Sequence, residues 1–254
     1  MSDYSMKFGN FNLRYNSSHD LAAIIESYVL NVYRIQKIET GSIVVDIGAG
    51  IGEFAVIASR RVGKKGKVIA IEPSPEDFKT LQDNIRKNKC SNIIPVNSAV
   101  SDKEEKLSLI FKGRNFEAQA DTLSNIIHNL DLPVSSIRYI KMDIEGRERL
   151  VIPSSLDIIS NIDYLAIEIH YGFSDELIPY MKNQGFEFKR IKRNEYLLNT
   201  IKKTIVHPAD IYRLWKAFTN TGENPAISKA LSGIDISSSQ KLVVGLFYKP
   251  RPTS

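Results

Sequence analysis

Apolar residues along the chain fall into two kinds of run that take turns. Short, nearly continuous runs rich in β-branched residues occupy Val44 to Ile47, Lys67 to Glu72, Ile93 to Asn97, Arg138 to Asp143, Tyr164 to Ile169, Phe186 to Ile191 and Lys241 to Tyr248. Between them apolar positions recur every three or four residues, as in Leu21, Ile24, Ile25, Tyr28, Val29 and Val32 of the stretch Ser17 to Tyr33. Phe54 to Arg61, Pro75 to Ile85, Thr122 to Leu130, Leu150 to Ile159 (broken at Pro153) and Ser174 to Gly185 follow the same spacing. The first kind reads as strands and the second as amphipathic helices. Strands without polar alternation are buried on both faces, so the pattern predicts an α/β fold: a doubly wound, mostly parallel seven-stranded, Rossmann-like sheet with a leading helix.

Three stretches fit less simply. Met1 to Asn16 carries Tyr4, Phe8, Phe11 and Tyr15 without a steady period and reads as an arm or lid. Leu107 to Phe111 alternates enough for a short extra strand, and Tyr196 to Ile201 competes with Lys241 to Tyr248 for the last strand. Because no linker interrupts the 254 residues, one domain is expected. It divides into an arm and leading helix (1–40), a core (41–199), an insertion that could cover an acceptor (200–239), and a last strand with tail (240–254).

Composition narrows the class only modestly. Hydrophobic residues make up 43% and charged residues 25%, ordinary for a globular enzyme. No apolar run approaches the roughly 20 residues of a membrane helix, and the N-terminus lacks a basic-then-apolar leader, so a soluble cytoplasmic protein without a membrane partner is expected. The lone Cys90 has no partner for a disulfide or a zinc site. A net charge of +5 and a pI near 9.1 leave a nucleic-acid partner open, although the basic residues are scattered.

The chemistry concentrates at the first strand's end, Asp46-Ile47-Gly48-Ala49-Gly50-Ile51-Gly52-Glu53. Glycines at every second position allow a tight turn and let a ligand approach the main chain. A dinucleotide loop of G-x-G-x-x-G type would need its third glycine where Glu53 stands, and a carboxylate there opposes a pyrophosphate. Acids at Asp46 and Glu53 suit a ligand carrying positive charge instead. Glu72 ends the second strand 20 residues after Gly52, about where a ribose-binding acid is expected.

The D-x-G-x-G-x-G order resembles class I S-adenosylmethionine-dependent methyltransferases. Together with Ile71-Glu72-Pro73, Asn97-Ser98-Ala99-Val100-Ser101-Asp102 and Lys141-Met142-Asp143-Ile144-Glu145-Gly146-Arg147-Glu148, it resembles the FkbM type over roughly residues 40 to 190. The resemblance implies methyl transfer from S-adenosylmethionine to a hydroxyl of a small molecule or glycan. It further implies that Asp46, Gly48, Ala49, Gly50 and Gly52 form the cofactor loop, that Glu72 and Pro73 meet the ribose, and that Ser98, Ala99 and Val100 flank the adenine. Arg147 stands where the family usually has a small residue.

Asp143, Glu145 and His170 follow the fourth and fifth strands, which such folds place side by side, and they are the candidate catalytic group. Each has another reading: Asp143 as a cofactor ligand, Glu145 as a helix cap, His170 as a loop hydrogen-bond partner. The three could also ligate a divalent cation, but the sequence alone assigns no metal. An RNA or protein acceptor is the alternative, encouraged by Tyr212-Arg213-Leu214-Trp215-Lys216; a cofactor-binding protein without catalysis is a further one. An adenine-nitrogen methylase would show N/D-P-P-Y/F where this chain has Asp143-Ile144-Glu145-Gly146.

Calorimetry with S-adenosylhomocysteine and with NAD should give heat only for the first, because Glu53 stands where the pyrophosphate loop needs glycine. Heat from NAD alone would reverse the assignment.

Overall fold

The computed structural model describes residues 4–170, 172–220 and 243–250. Its centre is a seven-stranded sheet built from β3 (Ile43–Ile47), β4 (Lys67–Ile71), β5 (Ile93–Val96), β9 (Ile137–Met142), β10 (Tyr164–Ile169), β11 (Glu187–Arg190) and β12 (Val243–Tyr248). The order across the sheet is β11-β12-β10-β9-β3-β4-β5. From β10 through β5 every pairing is parallel, and β12 runs antiparallel between β10 and β11. The chain thus reverses its winding at β3, and the carboxyl ends of β3 and β9 meet at the switch point where such sheets bind ligands.

Successive residues of a strand face opposite ways, which divides the core in two. Val44, Ala70, Tyr139, Ala166 and Leu246 pack with α1 (Ser18–Ile24) and α2 (Glu53–Val62) on one face. Val45, Ile69, Ile140, Leu165 and Phe247 pack with α4 (Leu123–Asn129), α5 (Glu148–Ser154), α6 (Leu156–Ile159) and α7 (Ser174–Asn183) on the other. The strands are apolar on both faces because both are covered. The helix α3 (Pro75–Lys87) starts as its sequence suggests: the Ser74 hydroxyl accepts from Asp77 N–H, with proline and acids in the first turn.

The N-terminal stretch read as an arm is a hairpin, β1 (Tyr4–Phe8) with β2 (Phe11–Tyr15), and it buries Phe8, Leu13 and Tyr15. Its anchor is chemical rather than periodic. Asn84 and Asn88, one turn apart at the end of α3, offer their amides to alternate residues of β2 as a neighbouring strand would. Arg14 N–H donates to Asn84 Oδ1 (2.7 Å) and Asn12 N–H to Asn88 Oδ1 (2.8 Å), while both amide nitrogens donate back to the same residues' carbonyls. The leading helix departs from its expected form too: after α1 it widens into a π-helical stretch, Ile25–Leu30, that ends at left-handed Asn31.

Tyr196 to Ile201 is not a strand but part of α8 (Arg193–Val206), followed by α9 (Pro208–Asn220). Its contacts have helical spacing: Tyr196 is buried, Asn199 donates to Leu30 O, and Lys203 lies over the Tyr28 ring. Asp210 of α9 accepts from Gly9 N–H and from the Tyr28 hydroxyl. Residues 200–220 therefore pack on the hairpin and the π-helical stretch; residues 221–239 of the expected insertion, and the start of the last strand at 241–242, lie outside the described residues. Leu107 to Phe111 is a strand as expected, β7 (Glu105–Phe111), within a small sheet with β6 (Ala99–Ser101) and β8 (Arg114–Thr122). Among the described residues no helix is long and apolar enough to cross a membrane.

Gly48 cannot carry a side chain: its φ is +76°, and a Cβ would stand 1.9 Å from the Asp143 carbonyl oxygen. Left-handed backbone costs a residue with a Cβ roughly 1–2 kcal/mol, and overpacking against backbone adds about 1–3. Gly48→Ala should therefore lower the urea midpoint well beyond Gly41→Ala, since Gly41 also has positive φ (+85°) but nothing within 4 Å. Equal losses would mean that the backbone angle alone requires glycine at Gly48.

Candidate active site

The glycine loop turns β3 into α2 through three left-handed residues, Gly48, Gly50 and Gly52. It is tied to both neighbouring strands. Gly48 and Ala49 N–H donate to Ile71 O at the end of β4, and Gly48 O accepts from the ammonium of Lys141 in β9 at 2.5 Å. Lys141 is almost wholly buried and pairs with Asp46 at 3.3 Å. Burial would lower its pKa, but Asp46, Asp143, Glu53 and Glu168 outweigh that and raise it.

A cleft of about 1020 Å³, counting the part open to solvent, lies over this loop. Of the residues expected at the cofactor, Gly48, Gly50, Glu72, Pro73, Ser98, Ala99, Val100 and Asp143 line it, and so does Glu145. Asp46, Ala49 and Gly52 do not. Asp46 is turned inward to Lys141, Ala49 is packed in the core, and Gly52 caps α2 against Leu81. His170 also stands outside the lining, behind Asp143 and Glu145.

Two acids give the cleft its charge. Glu72 accepts Gly50 N–H on one oxygen (2.7 Å) and Ser74 N–H on the other (2.8 Å), and burial pushes its carboxyl up to about 7. Glu53, at the start of α2, is raised by burial to about 7 as well; its Oε1 is 3.4 Å from the Ser27 hydroxyl and its buried Oε2 has no hydrogen-bond partner among the described residues. A buried acceptor left unpaired is costly unless a ligand completes it. The unpaired oxygen, beside a loop whose glycines leave the main chain bare, fits a ligand with a cationic amino group and ribose hydroxyls.

The candidate catalytic residues do come together. His170 Nδ1 is 2.8 Å from Glu148 Oε1, and Nε2 is 3.6 Å from Glu145 Oε2 and 3.9 Å from Asp143 Oδ1. Burial alone would lower the imidazole pKa; the Glu148 hydrogen bond and the surrounding carboxylates raise it to about 9. The Tyr33 hydroxyl donates to Glu168 Oε1 (2.8 Å) and lies 3.3 Å from Asp143 Oδ2. Asp143, Glu168 and His170 present potential metal-ligating atoms all within 4.8 Å of one another.

Sequence reasoning missed Lys141, Glu168 and Tyr33, and it missed what covers the cleft. The cover comes from the β7–β8 hairpin (Leu109 to Lys112, and Phe116) and from His19, Asp20 and Ala23 of α1. Lys112 and Gly113 have positive φ, the two-residue turn that suits a hairpin. Lys112 then bridges Asp20 (2.5 Å) and Asp77 (2.8 Å), while Phe111 meets His19 edge to face.

Strand order, glycine loop and acid-lined cleft define a class I S-adenosylmethionine-dependent methyltransferase. The model of the FkbM methyltransferase domain matches residues 46–188, and the chain belongs to that family. Hexuronic acid methyltransferase AglP of Haloferax volcanii is 20% identical over 176 residues, 63% of this chain and 71% of that protein. A tRNA (guanine(37)-N(1))-methyltransferase of Heterostelium pallidum is 44% identical over 59 residues, 23% of this chain but 13% of that protein. Among solved structures, the M. jannaschii tRNA m1G37 methyltransferase aligns over 98% of this chain and 57% of its own length, at TM-score 0.50 and 14% identity, a likeness of fold.

A ligand whose amino and hydroxyl groups met Glu53 and Glu72 would bind their ionised forms, and burial pushes both carboxyls up to about 7. Affinity for S-adenosylhomocysteine should therefore tighten from about pH 6 to about pH 8, with net proton release near neutrality. Glu72→Gln, which keeps an acceptor for one of the two N–H groups, should weaken binding roughly ten- to hundred-fold at the upper pH. Calorimetry in buffers of different ionisation enthalpy measures both; a pH-independent affinity without proton release would remove these acids from the ligand.

Proposed function

We propose that the protein methylates a hydroxyl of a small molecule or glycan, with the acceptor bound at the Asp143–Glu145 end of the cleft. The observation that carries this reading is the position of these two carboxylates: they line the same cleft as the glycine loop, with His170 and Glu148 behind them. S-adenosylmethionine, when bound, supplies a methyl group already activated on a sulfonium.

The chain's own part is alignment and proton removal. Bare backbone at Gly48 and Gly50 sets the depth of the ligand, Glu72 accepts the ribose hydroxyls, Glu53 meets the amino group, and Ser98 to Val100 border the adenine. When bound, the cofactor would give its methyl to the acceptor oxygen and keep the electron pair of the carbon–sulfur bond on sulfur, so the chain would have to align the acceptor and take its proton. The hydroxyl proton passes to a Glu145 oxygen and then to solvent, which reaches this half-exposed side chain. AglP, whose name gives a hexuronic acid as its substrate, supports a sugar-like acceptor.

The tRNA relatives and the net charge of +5 favour RNA as a second reading. Against it, Asp143 and Glu145 line this end of the cleft, where they would oppose a phosphate backbone. Radiolabelled methyl transfer to a panel of neutral sugars, uronic acids, small alcohols and tRNA transcripts decides between them. Transfer to a sugar or alcohol is expected, with Glu145→Gln lowering kcat about 10²–10⁴-fold and leaving S-adenosylhomocysteine affinity near wild type. Labelling of tRNA alone would overturn the proposal.

A further inference from the structure

Asp143, Glu168 and His170 leave two neighbouring parallel strands, β9 and β10, at the same edge, and their ligand-type atoms all lie within 4.8 Å of one another. The imidazole is held from behind. Its Nδ1 is 2.8 Å from Glu148 Oε1; Glu148 is fully buried and also accepts Gly146 N–H, so the carboxylate accepts and the ring nitrogen donates. A carboxylate that fixes one ring nitrogen so that the other points at ligand-type oxygens is the usual support of a metal-binding histidine.

The forward nitrogen faces the carboxylate oxygens of two acids. Nε2 is 3.9 Å from Asp143 Oδ1 and 3.6 Å from Glu145 Oε2. Two ligands on one ion with bonds of about 2.1 Å stand roughly 3.0–3.4 Å apart, so the three ligand-type atoms, within 4.8 Å of one another, would draw closer on binding it. Glu168 adds an independent sign. It is 8% exposed, Tyr33 satisfies Oε1, and Oε2 has no hydrogen-bond donor among the described residues. An open carboxylate oxygen in a cluster of three acids and one imidazole is a place a cation would fill.

We propose that Asp143, Glu168 and His170 hold a divalent cation, with Glu145 beside it and with Glu148 and Tyr33 fixing the ligands. Two carboxylates and one imidazole suit an ion of Mn²⁺ type, which accepts nitrogen alongside oxygen more readily than Mg²⁺ does. Asp143 lines the cleft, so the remaining coordination positions open towards the acceptor. An acceptor with two neighbouring oxygens, a vicinal diol or a 2-hydroxy acid, would fill them, and the cation would favour loss of the hydroxyl proton. This role rests on the acceptor lying where the proposed function puts it; the cation site itself does not.

The full chain titrated with Mn²⁺ alone, followed by loss of the free ion's paramagnetic resonance signal, tests the site, with S-adenosylhomocysteine calorimetry run in parallel. A single ion should bind. Glu168→Gln and His170→Gln should each weaken it ten-fold or more, and Glu148→Gln about 10–100-fold, while the calorimetric heat persists in all three. If Glu168→Gln loses that heat and so fails to fold, His170→Gln carries the test. A wild-type chain that binds S-adenosylhomocysteine but not Mn²⁺ overturns the cation and leaves methyl transfer standing, as does Mn²⁺ binding undiminished in the variants. Mn²⁺ binding without S-adenosylhomocysteine binding supports the cation and sinks the methyltransferase reading instead.

Discussion

The Lys141 ammonium is the interaction on which the site depends. It sits between β3 and β9, takes the Asp46 carboxylate and the Gly48 carbonyl, and so joins the two strands whose carboxyl ends frame the cleft. Removing one partner of such a buried pair costs about 3–5 kcal/mol because the other charge is stranded. Geometry is at stake as much as stability. Gly48 is pulled towards β9 by its carbonyl and towards β4 by its N–H, which leaves the loop no freedom to sag into the cleft. It packs so closely on the Asp143 carbonyl that the glycine loop and the acidic end of the cleft are in direct backbone contact.

That rigidity surrounds an electrostatic debt. Burial raises Asp46 to about 6 and Glu53 and Glu72 to about 7. An acid whose folded pKa lies above its unfolded value holds in the folded state a proton that the unfolded chain gives up. Its contribution to stability is complete below the unfolded value and is lost as pH rises through the folded one. The ligand-free fold is thus strained electrostatically at and above neutrality, and the proposed ligand contacts at Glu53 and Glu72 would relieve it. The cleft is least comfortable empty in the range where it should bind best.

Much of this was legible in the sequence because the signals are local. Glycine spacing, Glu53 in place of a third glycine, and the Ser74-Pro75 helix start each act within a few residues, and each stands where the pattern put it. What stayed hidden depends on contacts distant in sequence. The β1–β2 hairpin is anchored by Asn84 and Asn88, some 70 residues on, which no period announces. Strand β8 hides its buried positions in Ala118 and Ala120, too small to mark an apolar run. Lys141 and Glu168 did leave a signal: each is a charged residue flanked by apolar ones within a strand (Ile140 and Met142, Ile167 and Ile169), and a charge buried there must have a partner. The sequence names the charge but not the partner, since Tyr33 lies 135 residues from Glu168.

The cover of the cleft follows from where the chain inserts its extra residues. A lid on the 200–239 segment would make acceptor choice a property of the region after the sixth strand, yet residues 200–220 pack on the hairpin and the π-helical stretch. Among the described residues, the elements that border the cleft with the glycine loop come from the β7–β8 hairpin, inserted after β5, and from α1. Lys112 holds them together by pairing with Asp20 of α1 and Asp77 of α3, both nearly inaccessible. Charge-assisted contacts of this kind, half removed from water, are stronger than surface pairs. They fix the hairpin tip with Phe111 against His19 and leave Ile110, 76% exposed, at the mouth. Glycine loop, acidic end and cover are therefore each held by a largely buried basic group: Lys141 takes the Asp46 carboxylate and the Gly48 carbonyl, His170 meets Glu148, and Lys112 pairs with Asp20 and Asp77. The active site is assembled by charge at the edge of a sheet that apolar packing alone would have formed.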